Sequence, residues 1–306
     1  MRYHGQKEVI VMTYTACTLC PRRCGVNRAA GQLGFCLQGA QLRAARAAAH
    51  FWEEPCISGH WGSGAVFFSG CTLRCVYCQN HSISSGGAGQ PLTAGQLRRV
   101  FEQLIDQGVH NINLVTPTQF LPDILPALEP KLPVPVIMNS GGYESVPTLR
   151  ALEGLVDIYL PDFKYADPAL GARLSSAGDY PAAALAAIRE MARQTGPAQY
   201  DDDGMLLSGT LVRHLVLPGC VDNSLRAMEL LAEIPDIQVS LLRQYAPPEG
   251  LTLPAPLDRR VTDDEYAGVL SWAELCGTPV AYTQGADSAD GSFTPAFDGT
   301  GLDCFT

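Results

Sequence analysis

From Gly64 onward, short apolar runs alternate with segments whose apolar positions recur every three or four residues. Ala65-Val66-Phe67-Phe68, closed by Ser69-Gly70, has the length and continuity of a buried strand. Thr93 and Gln96 form a capping box; Leu97, Val100, Phe101, Leu104 and Ile105 then share one helical face, and Gly108 stops the helix. The alternation repeats. Runs at Ile112 to Val115, Val134 to Met138, Val156 to Leu160, Leu211 to Leu217 and Ile237 to Leu242 predict strands. Stretches near 119–129, 144–152, 180–194 and 222–233 predict helices between them. A last helix opens at Thr262 with Glu265 as its capping partner, buries Tyr266, Val269, Leu270 and Ala273, and stops at Gly277. Such alternation specifies βαβ units and a parallel sheet. Six strands, with a further run at Val280 to Tyr282, fall short of the eight of a closed barrel. The expected fold is therefore α/β, a partial (βα)6-type barrel.

Residues 1–60 lack this periodicity and are rich in Cys and Arg, with one Ala-rich stretch from Arg43 to His50. They are expected to form a small N-terminal cysteine-rich metal-binding segment, with the barrel over 61–285 and a polar C-terminal tail over 286–306. A chain of 306 residues buries enough surface for a full core, and 46% hydrophobic against 17% charged residues is the balance of a folded protein. No apolar run reaches the roughly 18 residues of a membrane span, and the N-terminus lacks a secretory apolar region. A soluble, cytoplasmic protein with no membrane partner is expected. The net charge of −10 and a mere three lysines suit polyphosphate poorly, so no nucleic-acid partner is expected.

The eleven cysteines change the picture. In a chain of cytosolic type they point to metal or redox chemistry rather than disulfides. Cys71, Cys75 and Cys78 have the spacing C-x3-C-x2-C directly after the first strand, where the active-site loops of βα barrels lie. Three thiolates on one short loop suit a cubane iron–sulfur cluster whose fourth iron stays open for a ligand. The plainer alternative is a zinc ion completed by His81.

This loop, with the aromatic Tyr77 before its third cysteine, resembles that of the radical S-adenosylmethionine (SAM) enzymes. Phe68 to Asn80, Asn113 to Thr118 and Asp157 to Lys164 look, more narrowly, like proteins related to pyruvate formate-lyase activating enzyme. The resemblance implies a 4Fe–4S cluster on Cys71, Cys75 and Cys78, SAM chelated to its open iron, and Tyr77 near the adenine. It also implies an electron donor of flavodoxin or ferredoxin type and reductive cleavage of SAM to a 5′-deoxyadenosyl radical. Thr116-Pro117-Thr118 stands where relatives carry a Gly-Gly-Glu motif for the methionine amine, and its Thr116 and Thr118 hydroxyls can accept from an ammonium. Asp162 and Lys164 match the family's Asp-x-Lys, which makes Lys164 a partner for the methionine carboxylate. Asn139, Ser140 and Arg213 occupy places that touch SAM in relatives, although Asn139 to Gly142 also reads as plain turn chemistry.

Cys17, Cys20, Cys24 and Cys36 supply a second full set of soft ligands. An auxiliary iron–sulfur cluster, a tetrahedral zinc and unligated thiols are all compatible with the spacing. Lying before the barrel and outside the triplet, this set is expected to leave the triplet able to bind SAM on its own. Cys56 and Cys276 read as buried small hydrophobes. Cys220, just past a strand end, and Cys304, in the tail, are small hydrophobes of the same kind but are also placed within reach of the site. His50, His60, His110 and His214 show no metal-pair spacing. The function expected is that of an activating enzyme, abstracting hydrogen from a backbone glycine of a partner glycyl-radical enzyme. The alternatives are a radical SAM enzyme acting on a small molecule or peptide, with the tail (Phe293, Phe297, Phe305) as a lid, and a zinc-stabilised binding module.

Overall fold

The computed structural model describes residues 12–289 and 293–302; Cys304 and Phe305 lie outside the described residues. One sheet organises the chain, built from β1 (Arg43–His50), β2 (Ser63–Phe68), β3 (Gln90–Pro91), β4 (Ile112–Val115), β5 (Val136–Ser140), β6 (Ile158–Pro161), β7 (Gln199–Tyr200), β8 (Leu206–Leu215), β9 (Ile237–Leu242) and β10 (Val280–Thr283). From β2 through β4, β5, β6, β8 and β9 to β10, every neighbouring pair is parallel. These are the six expected strands and the further run at Val280. The order does not close on itself, and the two ends of the sheet are β10 and β3. Both capping boxes form, at Thr93 with Gln96 and at Thr262 with Glu265, and Gly277 ends the last helix at φ 70°. Among the described residues, no helix is long and apolar enough to cross a membrane.

The sheet begins earlier than the boundary expected at residue 60. Arg43–His50 is a strand antiparallel to β2, although its alanines would favour a helix in isolation. Tertiary packing overrides that preference, because Ala44, Ala45 and Ala47 are buried where only small side chains fit. The expected boundary thus falls inside the connector between two paired strands. A short helix absent from the periodic pattern, Pro55–Ser58, lies in that connector and puts Cys56 and Ile57 in a cluster with Ile137, Ile158, Leu160 and Leu211.

Alternation along the strands decides what the interior of the sheet offers. On the inward face, Ile137 is followed by Asn139 on β5 and Leu211 by Arg213 on β8. Toward the C-terminal strand ends the interior therefore turns from apolar to polar and charged. That change of character positions the site.

Residues 293–302 of the tail are held against the sheet. Ala47 N donates to Thr300 O at 2.9 Å, and Gly299 N donates to Ala45 O at 3.0 Å. Leu302 is buried in the main core, and Phe297 packs edge-on against Phe67 with ring centres 5.4 Å apart. Gly301 sits at φ 77°, and a Cβ there would come within 1.8 Å of the Ala47 carbonyl oxygen. Gly301→Ala is expected to cost about 1–3 kcal/mol, lowering the melting temperature by a few degrees and exposing 293–302 to proteolysis. A thermal melt and protease pattern matching the parent would mean that this strap contributes no stability.

Candidate active site

The loop from Gly70 to Cys78 leaves β2 through a backbone held on both sides. Gly70 N donates to Ile83 O at 2.8 Å, Val76 N to Leu174 O at 2.9 Å and Cys78 N to Cys75 O at 3.1 Å. Ser175 Oγ donates to Cys75 Sγ at 2.9 Å. All three sulfur-bearing residues line one cavity of about 210 Å³. Burial pushes the Cys71 thiol up to about 12, helped by the adjacent Cys75 and Cys78, and burial raises Cys78 as well. Thiols raised as Cys71 and Cys78 are give up their protons only to a cationic partner.

The donor set fits an iron–sulfur cluster. No carboxylate belongs to the cysteine loop itself, and a cubane takes one outside ligand at each iron, so three thiolates leave one iron open. A single zinc ion is matched less well. His81 does not line the cavity.

Of the residues expected to bind the cofactor, Tyr77, Thr116, Asn139, Ser140, Asp162, Lys164 and Arg213 line the same cavity. Thr118 does not. Its buried hydroxyl donates to Glu144 Oε1 at 3.1 Å, so it is turned from the cavity toward a carboxylate that wants donors. Ser140 Oγ is likewise committed, donating to Glu144 Oε2 at 3.0 Å. Thr116 is a β-branched residue at φ 57°, a strained conformation of the kind that clusters at functional sites. Its amide donates to Asn139 O at 2.8 Å, and its carbonyl accepts from Gln119 Nε2 at 2.8 Å. Tyr77 is buried, with its hydroxyl accepting from Tyr165 at 3.0 Å and its ring edge-on to Tyr245.

The charges form one network. Arg213 donates through Nε to Asp162 at 2.9 Å, through Nη1 to Glu53 at 2.9 Å and through Nη2 to Asn139 Oδ1 at 2.6 Å. Lys164 Nζ donates to the other oxygen of Asp162. Glu53 Oε1 also accepts from Asn113 and Asn139 at 3.1 and 3.0 Å. Burial works against the Asp162 charge, but Arg213 and Lys164 outweigh it and hold the carboxyl below its usual range. Burial likewise opposes the Lys164 charge, and Asp162 restores and raises it. Burial pushes Glu54 up against the opposing pull of Arg213, and its Oε2 is a buried atom without a hydrogen-bond partner. His50 lines the cavity too, and burial, Arg46 and Arg213 push it down to about 4, so it is neutral at pH 7.

Sequence reasoning missed Glu53, Gln119 and Glu144. Gln119 Nε2 reaches the carbonyls of Ser69 at 2.9 Å and Gly70 at 3.1 Å, directly before Cys71. The one available signal for Glu53 was a Glu-Glu-Pro step with no basic neighbour in sequence. Cys56 and Cys220 do not line the cavity, and neither does His214, whose ring is taken by Phe163 O and Ser224 Oγ. Cys17, Cys20, Cys24 and Cys36 line a second, smaller cavity together with Arg22, Arg28 and Phe35.

Residues 65–234 match the model of the Radical SAM superfamily. Over 287 residues, 90% of this chain and 79% of the other, the chain is 26% identical to an uncharacterized protein of Methanocaldococcus jannaschii. Among solved structures it is similar to SuiB of Streptococcus suis, with a TM-score of 0.51 and 14% identity over 70% of this chain and 47% of that one. It is also similar to SuiB bound to S-adenosylmethionine, with a TM-score of 0.50 and 12% identity over 75% of this chain and 52% of that one. The chain thus spans about half the length of these two solved structures, and the likeness is one of fold.

Glu144 yields a pH test. Burial pushes its carboxyl up to about 7, against the opposing hydroxyls of Ser140 and Thr118. Folding therefore tightens proton binding, since an unfolded glutamate titrates near ~4.3. The stability this group contributes is full below about pH 4 and is lost as pH rises through about 7. Glu144→Gln removes that loss. Denaturant unfolding should show the parent weakening relative to the variant by roughly 3 kcal/mol between pH 4 and pH 8. An unchanged difference at the two pH values would show that the Glu144 proton is not linked to folding.

Proposed function

The chain belongs to the radical SAM superfamily, and from that membership we propose that it is an enzyme that cleaves SAM reductively and uses the product radical to abstract hydrogen. The observation that carries this reading is the shared cavity of Cys71, Cys75 and Cys78 with Asn139, Asp162, Lys164 and Arg213. A 4Fe–4S cluster on the three cysteines would supply one electron to the sulfonium, releasing methionine and a 5′-deoxyadenosyl radical. The chain's own residues do the rest. Lys164, steadied by Asp162, is the cation for the methionine carboxylate. The strained Thr116 brings backbone to the cavity wall, and Tyr77 supplies an aromatic face. The electron donor is proposed to be a flavodoxin or ferredoxin.

Two substrate classes fit this chemistry. Activation of a glycyl-radical enzyme is supported by the sequence resemblance from Phe68 to Asn80, and would bring a glycine loop in beside β1. A small molecule or short peptide is favoured by the way that side is walled. The connector after β1 sends Glu53 to Arg213 and seats Cys56 by Tyr282 of β10. Trp52 packs at a tilt against Phe293 with ring centres 4.6 Å apart, and both line the cavity with Pro295. A protein loop must part this wall; a small substrate need not.

Cys71→Ala, Cys75→Ala and Cys78→Ala are each expected to abolish 5′-deoxyadenosine production under dithionite, because two thiolates cannot hold a cubane with one open iron. Turnover near that of the parent by any of the three would refute the assignment. Substrate class is read by incubating the reduced, SAM-loaded protein with glycyl-radical enzymes of its host and recording electron paramagnetic resonance. A stable glycyl doublet supports activation. Its absence, with label from a metabolite or peptide appearing in 5′-deoxyadenosine, supports the second class.

A further inference from the structure

We propose that Cys17, Cys20, Cys24 and Cys36 form a second metal centre, a four-thiolate site for a soft metal, which braces the Cys71–Cys78 loop from behind. Two tight turns bring the four together. Arg23 N donates to Cys20 O at 3.0 Å, with Arg23 and Gly25 both at positive φ, so the chain doubles back between Cys20 and Cys24. Gly25 N and Val26 O pair with the backbone of Cys17 at 3.0 and 3.1 Å. Leu37 N donates to Gly34 O at 2.9 Å, turning Cys36 inward. A Cβ on Gly34 would stand 3.2 Å from Cys36 Sγ and 3.5 Å from Cys24 Sγ, so these two sulfurs face a space kept open by a missing side chain.

Charge supplies the second argument. Arg28 is buried to 1% exposure, and its N–H groups go to the carbonyls of Gln38, Gly39 and Gln119 at 3.1, 2.7 and 2.7 Å. Arg22 likewise donates to the carbonyls of Thr72, Ser175 and Ser176, with its guanidinium 3.8 Å from the centre of the Phe35 ring. Among the described residues, neither arginine has a carboxylate partner within ion-pair distance. A buried cation without an anion is costly. Arg28 Nη1 instead lies 3.7 Å from Cys17 Sγ. Four thiolates around either a zinc ion or a cubane carry a net negative charge, which is the counter-charge these arginines lack. No carboxylate or imidazole lines the cavity, which selects a soft metal over calcium or magnesium. As at the triplet, the sulfurs are gathered without being drawn round a single point.

The same arginines reach the triplet loop. Arg22 Nε holds Thr72 O at 2.9 Å, the residue next to Cys71. Arg28 holds the backbone of Gln119, whose side chain binds Ser69 O and Gly70 O. A Cβ on Gly70 would come within 2.5 Å of Cys36 O, so the two cysteine segments are in direct backbone contact. The expectation of two independent sites is therefore replaced by one of a braced pair.

The experiment counts metal on full-length protein purified anaerobically. The variant Cys71→Ala/Cys75→Ala/Cys78→Ala keeps all four N-terminal cysteines and should retain either about one zinc or about four iron with sulfide per chain. Zinc and iron arms identify the metal; both support the site. Adding Cys20→Ser/Cys24→Ser should remove that metal. In the otherwise parental chain, Cys20→Ser/Cys24→Ser should speed hydrogen exchange over 69–78 by about tenfold. Substoichiometric metal in the folded triplet variant would overturn the site, whatever the triplet itself binds. Metal loss with unchanged exchange over 69–78 would overturn the brace.

Discussion

A guanidinium inside an open barrel must be answered on every side, and Arg213 is so answered. Its three donor positions meet Asp162 from just beyond β6, Glu53 from the connector before β2 and Asn139 from β5. Removing any one partner would leave a buried charge exposed to its own desolvation cost. The network thus dictates which elements can meet at the C-terminal strand ends. It draws the β1–β2 connector inward and seats its short helix against the apolar floor of Ile137, Ile158 and Leu211. It also keeps Asp162 ionised, which in turn holds Lys164 at the cavity wall.

Much of this was legible because it is written locally. Continuous apolar runs mark strands covered on both faces, and the two capping boxes state their helix starts within four residues. The triplet and Lys164 were legible because spacing along one loop and position at one strand end are properties of sequence. What stayed hidden depends on packing at a distance. Arg43–His50 is an Ala-rich stretch with no strand pattern of its own, and β2 on one side with β3 and residues 299–300 on the other make it a strand. Glu144 has no meaning in sequence until the fold brings Thr118 and Ser140 to it; it then takes the Thr118 hydroxyl away from the cavity.

The N-terminal segment is likewise a structural neighbour of the site rather than an appendage to it. Phe35 makes the point. Its ring lies under both Arg22 and Arg74, and its carbonyl accepts from Arg74, a residue of the triplet loop itself. Aromatic faces and backbone carbonyls hold these cations in place without putting a carboxylate beside the thiols, where it would compete for metal.

β1 carries one further consequence, and it concerns time. Ala45 and Ala47 are joined to residues 299–300, which follow every strand of the sheet in chain order, so β1 is synthesised before that partner. During translation, β1 and the cysteine loop exist long before Phe293 and Pro295 arrive to complete the cavity wall. The nascent protein therefore passes through a stage in which the cysteine loop has been made and its aromatic wall is missing. Assembly machinery delivering iron and sulfide would meet the loop at its most accessible then, and emergence of residues 293–302 would set the end of that interval.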